Sequence, residues 1–262
     1  MGQPKITEIE AQLGEWEFLK ELPQEIDGFK LTMGQGIDGQ ILTIASYSNE
    51  AMHSKLDLIY TSETFDYVPV KTIGMHTFRD IRYFCRDRDK FAKMMHEKLP
   101  ELLADVNREK VIVILHYYRD ADKAIKMNER VIKNLEDQYY STLGAVNSDG
   151  MPHGKGTTSN PVERVVLNIP GSVTRTIDRL RRENEETERV KAEIAEELKC
   201  LNYTEKALVL GFYINGEQWE RLSARVNYSP RQCRNIRAVA LDRLAKRFAV
   251  NKTISRYRFP EK

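Results

Sequence analysis

The chain changes its hydrophobic period partway along, and this change limits the fold more than any other feature. Through about residue 75, apolar residues come in short β-branched or aromatic runs, at 29–33, 40–47, 55–60 and 67–73, separated by Gly, Asn, Asp and Ser. Runs of that kind predict strands. Farther on, apolar residues recur every three or four positions, as along one face of a helix. Residues 6–22 read as a short helix ending at Pro23. Helix is also expected over 77–86 and 89–106, with Pro100 kinking or splitting the second piece. The predicted fold class is α+β: a small N-terminal α+β domain (1–110), a long helical hairpin, and an all-α C-terminal module.

The middle of the chain, 111–199, predicts two long helices. Leu115, Ala121, Ile125, Val131, Leu135 and Tyr139 form a stripe over about 110–140. A segment rich in Gly at 144–159 must be loop or linker. Asn160, Pro161 and Glu163 then have the form of a helix start, with Asn as cap and Pro at the first position. After Pro170-Gly171, the residues Val173, Ile177, Leu180, Thr187, Ile194 and Leu198 form a narrow apolar seam between charges of both signs. Such a seam suits pairing with the 110–140 helix, or with another copy in a homo-oligomer.

Residues 200–262 carry the functional signal. Lys and Arg number 13 there against 5 Asp and Glu, whereas residues 1–110 hold 14 against 19. A basic module on an otherwise acidic chain points to a polyanion partner. Three helices are expected, over 204–213, 217–226 and from 229 to about 246. The last opens with Ser229-Pro230-Arg231-Gln232, where Ser caps, Pro takes the first position and Gln at the third completes a capping box. Two short helices joined by a tight turn at 227–229, the second beginning with Arg231, Gln232, Arg234, Asn235 and Arg237, follow the helix-turn-helix plan. Early residues of a recognition helix reach base edges in the major groove, where Arg can bond guanine and Gln or Asn can bond adenine. Arg225, Arg243, Lys246 and Arg247 lie farther out and suit phosphates, which add affinity without sequence choice. The expected partner is double-stranded DNA, with no catalytic residue, cofactor or metal.

Residues 111–249 resemble the RinA/ArpU-type phage transcriptional regulators, whose C-terminal part is similar to the fourth region of sigma factors. The resemblance rests on the long helix, Met151-Pro-His-Gly154, Ser159-Asn-Pro161, the charged helix, Tyr213-Ile-Asn-Gly-Glu-Gln-Trp219, Tyr228-Ser229 and Ala240-Leu241. It implies transcription control of phage or prophage genes, through upstream DNA and contact with host RNA polymerase. Residues 1–110 have no counterpart in that family.

Other chemistries find less support. Gly34, Gly36 and Gly39 match the dinucleotide-binding spacing, but a strand-like run follows where that motif needs a helix, so they read as a hairpin loop. His53, His76, His96, His116 and His153 fall at no metal-ligand spacing, and Cys85, Cys200 and Cys233 form no CxxC pair. In Phe78-Arg-Asp-Ile-Arg-Tyr-Phe-Cys-Arg-Asp-Arg88 the arginines alternate with acids, which favours an ion-paired helix surface. No apolar stretch approaches the roughly 18 residues of a membrane span, and no secretory signal is recognisable, so a cytoplasmic chain is expected, and the resemblance implies the cytoplasm of a bacterial host. Rival readings are a DNA-packaging factor resembling a small terminase, an enzyme in residues 1–110, and a bifunctional chain whose N-terminal domain binds or inhibits a host protein.

Overall fold

The computed structural model describes residues 6–13, 15–146 and 171–260. It is an α+β structure. Two short helices, α1 (Ile6–Leu13) and α2 (Glu17–Glu21), precede six strands: β1 (Glu25–Ile26), β2 (Phe29–Asp38), β3 (Ile41–Asn49), β4 (Ser54–Thr61), β5 (Asp66–Ile73) and β6 (His76–Arg79). A 3₁₀ turn at Ile81–Tyr83 leads into α3 (Arg88–Val146), and α4 covers Gly171–Glu197. The remaining helices are α5 (Tyr203–Val209), α6 (Trp219–Val226), α7 (Pro230–Val250) and α8 (Lys252–Arg256). The linker expected at 144–159 lies almost wholly outside the described residues, and the helix start at 160–163 lies wholly outside them.

The strands form an antiparallel meander in the order β1 to β6. The four strand-like runs at 29–33, 40–47, 55–60 and 67–73 fall in β2 to β5. Alternation along β3 is broken by a register shift between Thr43 and Ala45, which lets Leu42 and Ile44, then Ala45 and Tyr47, all join one core. Leu56, Leu58, Tyr60, Tyr67 and Ile73 complete that face, and α3 covers it with Phe91, Met95, Leu99, Leu102, Leu103 and Val106. Each such side chain, removed from water, contributes about 1.5–3 kcal/mol. The glycines of the discarded dinucleotide motif lie in the β2–β3 hairpin, with positive φ at Gly34, Gly36 and Gly39.

Two expectations are corrected here. Residues 77–86 form no α-helix: β6 and the 3₁₀ turn occupy them, and Cys85 bridges back to Tyr67. Phe78, Ile81 and Phe84 imitate helical spacing, but the backbone of this stretch is claimed by β5. Pro100 does not split its helix; α3 runs through it. The missing N–H costs one bond, and the apolar burial of Leu99, Leu102 and Leu103 around it offsets the loss.

The chain divides into two compact units, one of Met1–Tyr118 with Glu193–Lys262 and one of Arg119–Ala192. Residue 110, the expected first boundary, lies inside α3, and the C-terminal module belongs to the same unit as the sheet. Within that unit Arg108 donates to both carboxylate oxygens of Asp242 on α7, at 2.7 and 2.8 Å. The Tyr117 hydroxyl donates to that of Tyr257 (3.0 Å), and the Tyr117 ring meets Phe259 edge-on. His53 Nε2 lies 2.8 Å from the carbonyl of Ser255.

The second unit is an antiparallel helix pair. Val190, Leu180 and Ile177 of α4 and Ala121 and Ile125 of α3 are its buried apolar residues. Asn128 donates its amide to Asn184 (2.8 Å) within the seam. Arg181 pairs with Glu136, and Lys191 with Asp122, whose carboxyl is held below its ordinary range by that contact.

Candidate nucleic-acid interface

The C-terminal module is built on strong local signals. Asn202 caps α5: its side chain accepts from the Glu205 N–H (2.9 Å) while Glu205 accepts from the Asn202 N–H (3.0 Å). A π-helical turn, Leu210–Ile214, brings Gly211 so close to Leu222 of α6 that a Cβ there would overlap the leucine side chain. Leu208, Leu222 and Cys233 form the small core behind α6 and α7, with Phe212, Trp219, Val226 and Ile236 around it. Asn227 turns the chain between the two helices in the left-handed conformation (φ 57°), which Asn tolerates better than most residues.

Ser229 then starts α7 as expected. Its hydroxyl accepts from the Gln232 N–H (3.3 Å), and Gln232 Oε1 accepts from the Ser229 N–H (3.0 Å). A helix opened this way begins at a fixed residue. Arg231, Gln232, Arg234, Asn235 and Val239 are therefore all exposed over the first turns, while Cys233 and Ala240 point inward.

The ten residues proposed from sequence separate into groups. Ser229 and the Gln232 carbonyl oxygen are occupied by the cap. Arg231, Arg234 and Asn235 make no hydrogen bond or ion pair among the described residues. Arg237 is turned inward, its guanidinium 5.2 Å from the centre of the Trp219 ring and 6.0 Å from that of Phe212. Its Nε is buried without a partner, so the aromatic faces supply what stabilises the charge. Burial raises the pKa of the neighbouring Tyr213 hydroxyl, and Arg237 moderates the rise.

The outer cations expected on phosphates are mostly answered from within. Arg225 pairs with Glu217, whose pKa is lowered by that contact. Arg243 pairs with Glu205 at 2.6 Å and Arg247 with Glu197 at 2.7 Å. Both glutamates are buried, so each arginine serves to pair a carboxylate that has lost its water. Each of these three arginines, expected on a phosphate, makes an ion pair within the chain. Lys246 remains exposed, on the rim of a cleft of about 520 Å³ that Asn49, Asn107 and Ala245 also line. The sequence reading missed Arg108, which fixes α7 from outside the module; an arginine 134 residues away gives no local signal.

Among the described residues, no group of three or more His, Cys, Asp or Glu is placed to hold a metal ion. No described helix is long and apolar enough to cross a membrane. No protein-family model matches the chain, and no curated protein or solved structure matches it either.

Proposed function

We propose that the chain is a sequence-specific DNA-binding regulator of transcription, with α6 and α7 as its helix-turn-helix. The observation that carries this reading is the pair of unanswered cations on the first turns of α7. Elsewhere in the module Arg225, Arg243 and Arg247 each meet a carboxylate, whereas Arg231 and Arg234 face solvent beside Asn235. Two guanidinium groups and an amide at the leading end of a helix are what guanine and adenine edges require. In this reading Arg231, Arg234, Asn235 and the free amide nitrogen of Gln232 read bases, and Lys246 contacts a phosphate. The resemblance of this stretch to RinA/ArpU-type regulators favours a phage or prophage promoter in a bacterial cytoplasm as the target, and host polymerase as a further partner.

The test is selection of bound fragments from random duplex DNA with the full chain, followed by titration of the selected site. Arg231→Ala and Arg234→Ala should each weaken the selected site by about 1–3 kcal/mol, the discrimination carried by one bidentate contact. Random duplex should be affected far less. Failure to enrich any sequence, or equal losses on selected and random DNA, would reject the assignment.

A further inference from the structure

From Arg243 to Pro260 the chain holds six Lys and Arg and not one Asp or Glu. Two of the six, Arg243 and Arg247, are answered by buried glutamates from elsewhere in the fold. Lys246 stands on the rim of the cleft. The other three, Lys252, Arg256 and Arg258, lie on α8 and the segment after it. All three are exposed, and their side chains make no ion pair or hydrogen bond with described residues. The backbone beneath them is nevertheless fixed. Asn251 caps α8, its side chain accepting from the Thr253 N–H (3.0 Å) and the Ile254 N–H (3.2 Å). Ile254 and Phe259 are buried, the Ser255 carbonyl meets His53, and Tyr257 meets Tyr117. Over 251–260 the residues left exposed are Lys252, Arg256, Arg258 and Pro260.

We propose that Lys252, Arg256 and Arg258 form a second DNA surface, which grips phosphates of the duplex beside the element that α7 reads. The proposal deepens the DNA-binding reading and rests on it for its partner. The chemistry of the segment favours phosphates over an acidic protein. The centre of a protein interface is rich in aromatic residues and poor in Lys, whereas here the aromatic side chains turn inward and the cations face out. Cations without a base edge to read add affinity on a phosphate backbone and leave sequence choice to other residues. Distance makes this surface separate from the tip of α7. That helix has 21 residues and is about 31 Å long. Lys252 follows its far end, so the patch stands roughly nine base pairs of axial rise from Arg231. Lys246 lies between the two along α7. Tip and patch belong to one compact unit, so a duplex longer than their separation can engage both.

The test is titration of the full chain on two duplexes, the selected site alone and the same site with about 12 base pairs added on each side, more than the separation of tip and patch. The flanks should raise wild-type affinity about tenfold or more. A variant carrying Lys252→Gln, Arg256→Gln and Arg258→Gln should bind the short duplex like the wild type and lose the gain from the flanks. On the long duplex its salt dependence should be shallower by about 2–3 in log–log slope, since each phosphate contact contributes about 0.9. Its urea midpoint should match the wild type, because the three side chains hold no described partner. Arg231→Ala should weaken both duplexes equally and keep the gain, so failure of the recognition helix and failure of this surface are distinguishable. Random duplexes of the same two lengths give the same comparison of variant with wild type where no site is selected. No gain from the flanks, a triple variant that keeps the gain, or one that loses as much on the short duplex would each overturn the proposal.

Discussion

The two halves of α7 use the same residue type in opposite ways. Over its first turns Arg231 and Arg234 face solvent with no acid opposite them. Over its last turns Arg243 and Arg247 are matched by Glu205 and Glu197, Asp242 is gripped by Arg108, and Leu244, Ala245 and Phe248 are buried. One half is held; the other is offered. A cation count gives both halves equal weight, but an arginine beside a buried carboxylate has already exchanged its water for a partner, and a phosphate would have to compete with that partner. Among the arginines of α7, those that face solvent without a partner mark the surface proposed to meet DNA.

This division can be broken experimentally, and the largest effect should come from the held half. Phe248→Ala should cost about 3–5 kcal/mol of stability in urea titration, as for a fully buried aromatic. Val239→Ala, on the offered half, should change stability by no more than about 0.5 kcal/mol. Glu205→Ala removes both an α5 cap partner and the acceptor for Arg243; a loss of about 1–3 kcal/mol of stability is expected, with affinity for selected DNA unchanged at 25 °C. A loss of DNA affinity without a loss of stability would mean that Arg243 belongs to the interface after all.

Acid probes the same contrast more gently. Hydrogen bonding from Arg82 holds the Asp80 carboxyl below its ordinary range, with Lys71 adding to the effect. The stability this contributes is fully present above the unfolded value of about 3.9 and is lost as pH falls through the lower folded value. Thermal melting should therefore show a drop in acid below about pH 4 that is reduced in Asp80→Asn. A milder effect is expected from Arg247→Ala. That guanidinium is more than half exposed, and Glu197 keeps Asn251 as a second donor, so the loss of stability should be smaller than that from Glu205→Ala.

What was legible in the sequence was local. The Ser229 capping box, Pro230 at the first position and the β-branched or aromatic runs of β2 to β5 act over a few residues, and each produced the expected element. The β6 segment was misread because Phe78, Ile81 and Phe84 step by three, while the bonds that decide its conformation come from β5. In the candidate interface, the exposed start of α7 followed from its cap and apolar spacing. The ion pairs of Arg243 and Arg247 could not be anticipated, since their acids lie 38 and 50 residues earlier in the chain. Only the fold brings Glu205 and Glu197 to α7. Glu217, eight residues from Arg225, was within reach of a sequence argument that considered the turn between them.

The amide pair Asn128–Asn184 gives the helix hairpin its choice of alignment. Sliding one helix past the other by a turn would separate the two half-buried amides, so a single setting is favoured over its neighbours. Exchanging both for leucine would tighten the grip of the two rods and erase the notch that tells them where to stop.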